Sequence, residues 1–268
     1  MSLDGALALK LVLTPLLVGA ASLAGRRWGS AVGGWLIGIP FTSAPIALFL
    51  ALDHGPRFAA VAAVGIMAGT ASQSAFCLGY SWTARRLGWA LSLPAATLAF
   101  AGVTSVLAVV LLPALVLLSA LALFVVMIVL LVVSLFLMPT HSAHNDQAIE
   151  RIDFPRWDIP LRMVVATSFV LALTSAAPLL GPRLAGMLAP FPLYGAVLAA
   201  FAHRMQGADS AVAVLRGLLL GLFAFVSFFL VLALLLPDGL ALAFGTAIVV
   251  ALAVQGASLV AGRRLGLA

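Results

Sequence analysis

Charge is scarce in this chain: only 8% of its 268 residues are Asp, Glu, Lys or Arg, against 64% hydrophobic. A water-exposed globule of this size needs far more polar surface, so a soluble fold is excluded. Cysteine is almost missing as well. The one thiol, Cys77, lies inside an apolar run, permits no intrachain disulfide and has no companion ligand for a metal, which leaves packing as its role. No acidic residue falls at the centre of an apolar run, since Asp4, Asp53, Asp209 and Asp238 all sit near run ends. That disfavours a proton antiport built on an intramembrane carboxylate. His54, His141, His144 and His203 lack a second metal ligand at suitable spacing in the same helix. With neither a nucleophile elbow nor a phosphate-cradling glycine loop in a suitable context, no enzyme, metal or cofactor is expected. The net charge of +6 does not signal nucleic acid either, because most arginines lie in short loops between apolar runs.

What the chain has in abundance is apolar runs of about 20 residues, each long enough to span hydrocarbon as an α-helix. Polar or Pro/Gly interruptions divide it into nine expected spans at 5–25, 31–52, 58–82, 88–110, 114–138, 159–180, 184–204, 210–236 and 239–261. The first lacks a basic stretch ahead of it and reads as a retained helix rather than a signal peptide. Only Pro113 punctuates "VVLLPAL" between the fourth and fifth spans, yet the stretch from Gly88 to Met138 is about twice what one helix needs. The expected fold class is thus all-α, a polytopic membrane helix bundle.

Positive residues accumulate in cytoplasmic loops. The loops after spans one, three, five and seven, with the C-terminus, hold nine arginines: Arg26, Arg27, Arg85, Arg86, Arg151, Arg156, Arg204, Arg263 and Arg264. The opposite loops hold two, Arg57 and Arg183. Trp28, Trp82, Trp89 and Trp157 fall near the arginine-rich side, as interfacial anchors do. The expected location is a bacterial inner membrane, with the N-terminus periplasmic and the C-terminus cytoplasmic.

At a constant offset of 152, residues 29–78 align without gaps with 181–230, and 13 of the 50 pairs are identical. Five of those are glycines: Gly29/Gly181, Gly34/Gly186, Gly55/Gly207, Gly65/Gly217 and Gly69/Gly221. With 24 glycines in 268 residues, independent placement predicts fewer than one such match. The odd fifth span between the copies would give them opposite orientations. The expected organisation is a first four-helix repeat at 1–112, a connector helix and cytoplasmic linker at 113–158, and an inverted second four-helix repeat at 159–268. Inverted repeats of this kind are characteristic of secondary transporters.

The stretch Ala185 to Pro237, "AGMLAPFPLYGAVLAAFAHRMQGADSAVAVLRGLLLGLFAFVSFFLVLALLLP", joins a proline-containing "PFP" segment, a short polar turn and a phenylalanine-rich helix. In these features it resembles the small four-helix bacterial inner-membrane proteins of the GlpM type. The likeness covers about a third of the chain directly and the first half through the repeat. The first half departs from it, reading "GIPFTSAP" where the second reads "APFPLYGA", and the fifth span has no counterpart in a four-helix protein. The resemblance implies fold and membrane location rather than a substrate.

Pro40 and Pro192 are repeat equivalents near the middle of the second and seventh spans, where each removes a helix hydrogen bond. Paired breaks at matching positions of two inverted halves point to a transport site, whereas a lone proline reads as a kink. The candidate substrate-binding residues are Pro40, Phe41, Thr42 and Ser43 at the first break, Pro192 and Tyr194 at the second, Gln73 and Ser74 from "GTASQSAFC", and Arg216. Polar groups such as Thr70 and Ser72 in the third span serve interhelical hydrogen bonds equally well, and Gly65 and Gly69 have GxxxG spacing for close packing. Arg216, about 10 Å deep, suits an anion, while Lys10 and Arg162 lie near span ends and can snorkel or make a charge contact. The expected function is an alternating-access secondary transporter or flippase for a small anionic solute or a lipid phosphate at a midplane site. The competing reading is a non-transporting accessory protein of a cell-envelope or exopolysaccharide pathway. Expected partners are the lipid bilayer, that anion, and a second copy as an optional homodimer. A cytoplasm-dependent reporter should be active when fused after residue 268 and inactive when fused before residue 1; equal activity at both ends would remove the inversion.

Overall fold

The computed structural model describes residues 10–19, 23, 40, 42–111, 119–139 and 158–264. Among these, every regular element is helical. They are α1 (Lys10–Gly19), α2 (Ser43–His54), α3 (Pro56–Ala84), α4 (Trp89–Val106), α5 (Ala120–Leu137), α6 (Asp158–Leu188), α7 (Leu193–Gln206), α8 (Ala208–Leu235) and α9 (Leu240–Arg264). A π-helical turn, Leu107–Leu111, extends α4, and a 3-10 turn, Leu236–Asp238, closes α8. Helices are what a chain this apolar must form, because each satisfies its own backbone without water.

Six of them, α3, α4, α5, α6, α8 and α9, are long and apolar enough to cross a membrane. The protein is therefore a multi-pass helical membrane protein. On α5 the two faces separate cleanly: Leu123, Met127, Leu131 and Leu135 are buried, while Val125, Val129, Val133 and Phe136 are exposed. Such an exposed apolar stripe fits a lipid-facing surface.

The expected spans match the long helices closely at 58–82, 210–236 and 239–261 and differ elsewhere for local reasons. Span 88–110 ends in the π-helical turn. The described part of span 114–138 begins at Ala120, where the Ser119 hydroxyl accepts the Ala122 N–H at 3.2 Å. The expected boundary between spans 159–180 and 184–204 falls inside α6, where Gly181 (φ 75°, ψ 164°) leaves helical geometry and separates 158–180 from a short second piece, 182–188. A second interruption follows at 189–192 and leaves α7 short. Helices α2 and α7 both end on glycines of positive φ, Gly55 (88°) and Gly207 (91°), whose N–H groups bond to the carbonyls of Ala51 and His203. Phe41, the 31–39 part of the 31–52 span, Pro113, and the linker with His141 and His144 lie outside the described residues.

Helices α3 and α8 form the centre; α3 packs on α4, α6 and α8, and α8 on α3, α5, α7 and α9. The two sequence halves thus share one core. Inside a membrane, burial supplies little drive between helices, so close packing must hold them. The closest approach is glycine on backbone. A side chain at Gly65 would lie 2.5 Å from the Arg183 carbonyl, one at Gly69 2.6 Å from the Met187 carbonyl, and one at Gly186 would strike the Ala62 carbonyl. The GxxxG pair therefore receives the second piece of α6. Because backbone cannot yield there, Gly186→Ala is expected to cost about 1–3 kcal/mol in detergent unfolding titrations. Gly102→Ala, with open space around it, should be neutral or gain up to about 1 kcal/mol; equal losses at both would refute the close crossing.

Candidate functional site

Pro190 and Pro192 lack N–H groups, so the carbonyls four residues earlier lose their helical partners. The Gly186 carbonyl instead accepts the Ala189 N–H at 3.1 Å, and the Leu188 carbonyl accepts the Phe191 N–H at 3.1 Å. Leu193 turns its N–H back to the Phe191 carbonyl at 2.8 Å, with Pro192 at φ −82° and ψ 57°; this is an inverse γ-turn. That turn takes away the donor the Ala189 carbonyl would have used. Its partner comes from the first half: the Ser43 hydroxyl donates to it at 3.0 Å, fully buried. The expected Ser43 of the first break thus meets the residue just before the two prolines of the second through one hydrogen bond.

The other candidates distribute around this contact. At the first break the Ala44 N–H reaches the Pro40 carbonyl at 2.8 Å, and Thr42, half-buried, precedes α2 without a side-chain cap bond. Tyr194 stands beside the second break, with the Arg162 guanidinium 4.7 Å from its ring centroid, so two expected contacts come together as a cation–π pair. Ser74 donates to the Thr70 carbonyl of its own helix at 3.0 Å. Gln73 Oε1 and Thr70 Oγ1, at the middle of α3, are buried and make no hydrogen bond among the described residues. Lys10 is engaged with Asp53 at 2.6 Å rather than snorkelling alone. Arg216 donates to the Pro139 carbonyl just past the end of α5 at 3.2 Å, where a cation complements the helix dipole.

A cavity reaches each break. One of about 420 Å³ is walled by α1, α2, α8 and α9 with Pro40 in its lining, and no polar side chain among the described residues contributes to it. The other, about 460 Å³, lies between α4 and α6 with Phe191 in its lining, and carries Thr97, Thr104 and Ser105. Neither is lined by Gln73, Ser74, Tyr194 or Arg216.

Some participants are not among the sequence candidates. Phe191, between the two prolines, is packed edge-on against Phe76 (6.1 Å) and Phe100 (5.1 Å) and tilted on Phe169 (6.3 Å). The "PFP" spelling was the available signal, since a residue between two prolines is held out of the helix. Thr104 donates to Ser72 at 2.8 Å, and the Tyr80 hydroxyl lies 3.3 Å from His203 Nδ1. Among the described residues no group of His, Cys, Asp and Glu could hold a metal ion.

No protein-family model, curated protein or solved structure matches the chain.

Ser43→Ala should leave the Ala189 carbonyl orphaned and cost about 1–3 kcal/mol. Thr70→Val, which removes a buried hydroxyl without a partner, should be neutral or stabilise by about 1 kcal/mol. Unfolding titrations of the purified protein check both; a loss at Thr70→Val would mean that its hydroxyl is paired.

Proposed function

We propose that this protein is a carrier or flippase of the bacterial inner membrane, related to the GlpM-type proteins. In this reading it moves a small anionic or phosphate-bearing solute by alternating access between its two helix breaks. The observation that carries the reading is the Ser43 to Ala189 hydrogen bond, which joins the breaks across 146 residues of chain. Discontinuous helices meeting at the repeat interface are where secondary transporters bind substrate.

Two further features support an inverted repeat. The offset of 152 relates Gly55 to Gly207 and Pro56 to Ala208, pairing the positive-φ glycines and the first residues of α3 and α8. These two central helices also run antiparallel: Trp82 and Tyr80, late in α3, contact the Leu137 carbonyl and His203, while Arg216, early in α8, contacts the neighbouring Pro139 carbonyl. With nine spans and the arginine-rich side cytoplasmic, the N-terminus is periplasmic in this reading.

The glycine crossing ties the 182–188 piece to α3, so those two move as one body. Separation then occurs where Ser43 holds Ala189. Arg162 on Tyr194 is the cation placed beside a break, whereas Arg216 is committed to the end of α5. An accessory role is favoured by one observation: Ser74 and Arg216 direct their hydrogen bonds to backbone carbonyls.

Reconstitution distinguishes the two. Vesicles containing the protein should accelerate either flipping of fluorescent phosphatidylglycerol or uptake of radiolabelled phosphate over protein-free vesicles. Arg162→Gln should then lower the rate about tenfold, the worth of one charge-assisted contact, at unchanged folded yield. No acceleration of either probe would leave the accessory reading.

A further inference from the structure

We infer that the cavity beside Pro40 is the seat of a zwitterionic phospholipid, one tail filling the cavity and the headgroup resting on Lys10 and Asp53. The inference goes beyond translocation, since such a seat exists whether or not the protein moves anything.

The occupant follows by elimination. The cavity holds about 420 Å³ and is lined by residues such as Leu13, Leu48 and Phe228, with no polar side chain among the described residues. Water needs two to four polar partners to reside in such a space, and the described lining offers none. A void would forfeit the dispersion contacts of its whole lining. Hydrocarbon remains. The way in is lateral, because Ile248 and Leu252 line the cavity yet are 51% and 58% exposed on the face of α9, while Phe228 at the inner wall is 3% exposed. That open rim belongs to the same apolar surface that meets lipid.

The headgroup follows from charge. Lys10 precedes Leu13 by three residues, about 4.5 Å along α1, and so stands roughly one turn from the cavity lining. Its ammonium is 2.6 Å from Asp53, with side-chain exposures of 11% and 24%. A neighbouring cation and anion, both reachable, complement a headgroup that carries a phosphate and an ammonium, and offer less to a purely anionic one. The cavity between α4 and α6 makes a weaker seat. Its hydroxyls are turned inward: Thr97 donates to Leu93, Ser105 to Ala101 and Thr104 to Ser72, and no ion pair is found beside it among the described residues.

The test uses the full chain in nanodiscs doped with phosphatidylethanolamine or phosphatidylglycerol carrying a photoactivatable diazirine in one tail, with labelled peptides mapped by mass spectrometry. Phosphatidylethanolamine should label the α1, α2 and α9 lining at least about threefold over the equally exposed α5 face at Val125 and Val129, reflecting packing rather than hydrophobic drive. Ala44→Phe, which fills the cavity, should abolish that enrichment without changing α5 labelling. If Ala44→Phe misfolds, Leu252→Trp narrows the rim from the lipid side and serves in its place. Labelling that merely follows exposure, survival of the enrichment in the filled or narrowed variant, or equal capture of the two lipids would overturn the assignment.

Discussion

Within hydrocarbon, a backbone carbonyl that loses its helical partner has no water to turn to, and the arrangement at the centre of this protein follows from that constraint. Two prolines spaced by one residue release several acceptors at once. Local turns recover some of them, and the Ala189 carbonyl is recovered by a serine from the other end of the sequence. The Met187 carbonyl, meanwhile, lies against Gly69, where the missing side chain lets backbone meet backbone. Breaking the helix and packing it closely on α3 are thus two parts of one solution, because an interrupted helix survives only where protein encloses the interruption.

The few charges obey the same economy. Lys10 has Asp53, Arg216 has the end of α5, Arg162 lies on Tyr194, and the Arg204 guanidinium lies 5.8 Å from the Trp89 ring centroid. Each is given an anion, a carbonyl dipole or a π face, and each such partner lowers the cost of a cation near lipid. These contacts also tie elements distant in sequence, α5 to α8 and α4 to α7.

Much of this was legible in the residues. The long helices follow from run length, the interruption at Pro192 from its two prolines, and the tight crossing from Gly65 and Gly69, since each is a local rule acting within one turn or one span. The bend at Gly181 was readable as a span boundary, although helical geometry resumes at once and carries on to Leu188. What one sequence could not supply was partnership. Nothing in "FTSAP" says that Ser43 will reach Ala189 rather than a substrate, or that Arg216 will find Pro139, because those pairings depend on how helices 77 to 146 residues apart come to lie side by side. Phe191 escaped for the same reason: its neighbours Phe76, Phe100 and Phe169 come from three different helices.

The central position of α3 bears on how the protein is made. Its glycine face waits for Arg183 and Met187, which leave the ribosome more than a hundred residues after Gly65 and Gly69. At roughly 5–20 residues per second the delay is on the order of ten seconds. Throughout that interval a helix carrying Thr70, Ser72, Gln73 and Ser74 must lodge beside lipid or the insertion machinery, with α4 as its main early companion. The Thr104 to Ser72 bond is a buried side-chain pairing across α3 and α4 that can form in that window, before the second half of the chain exists.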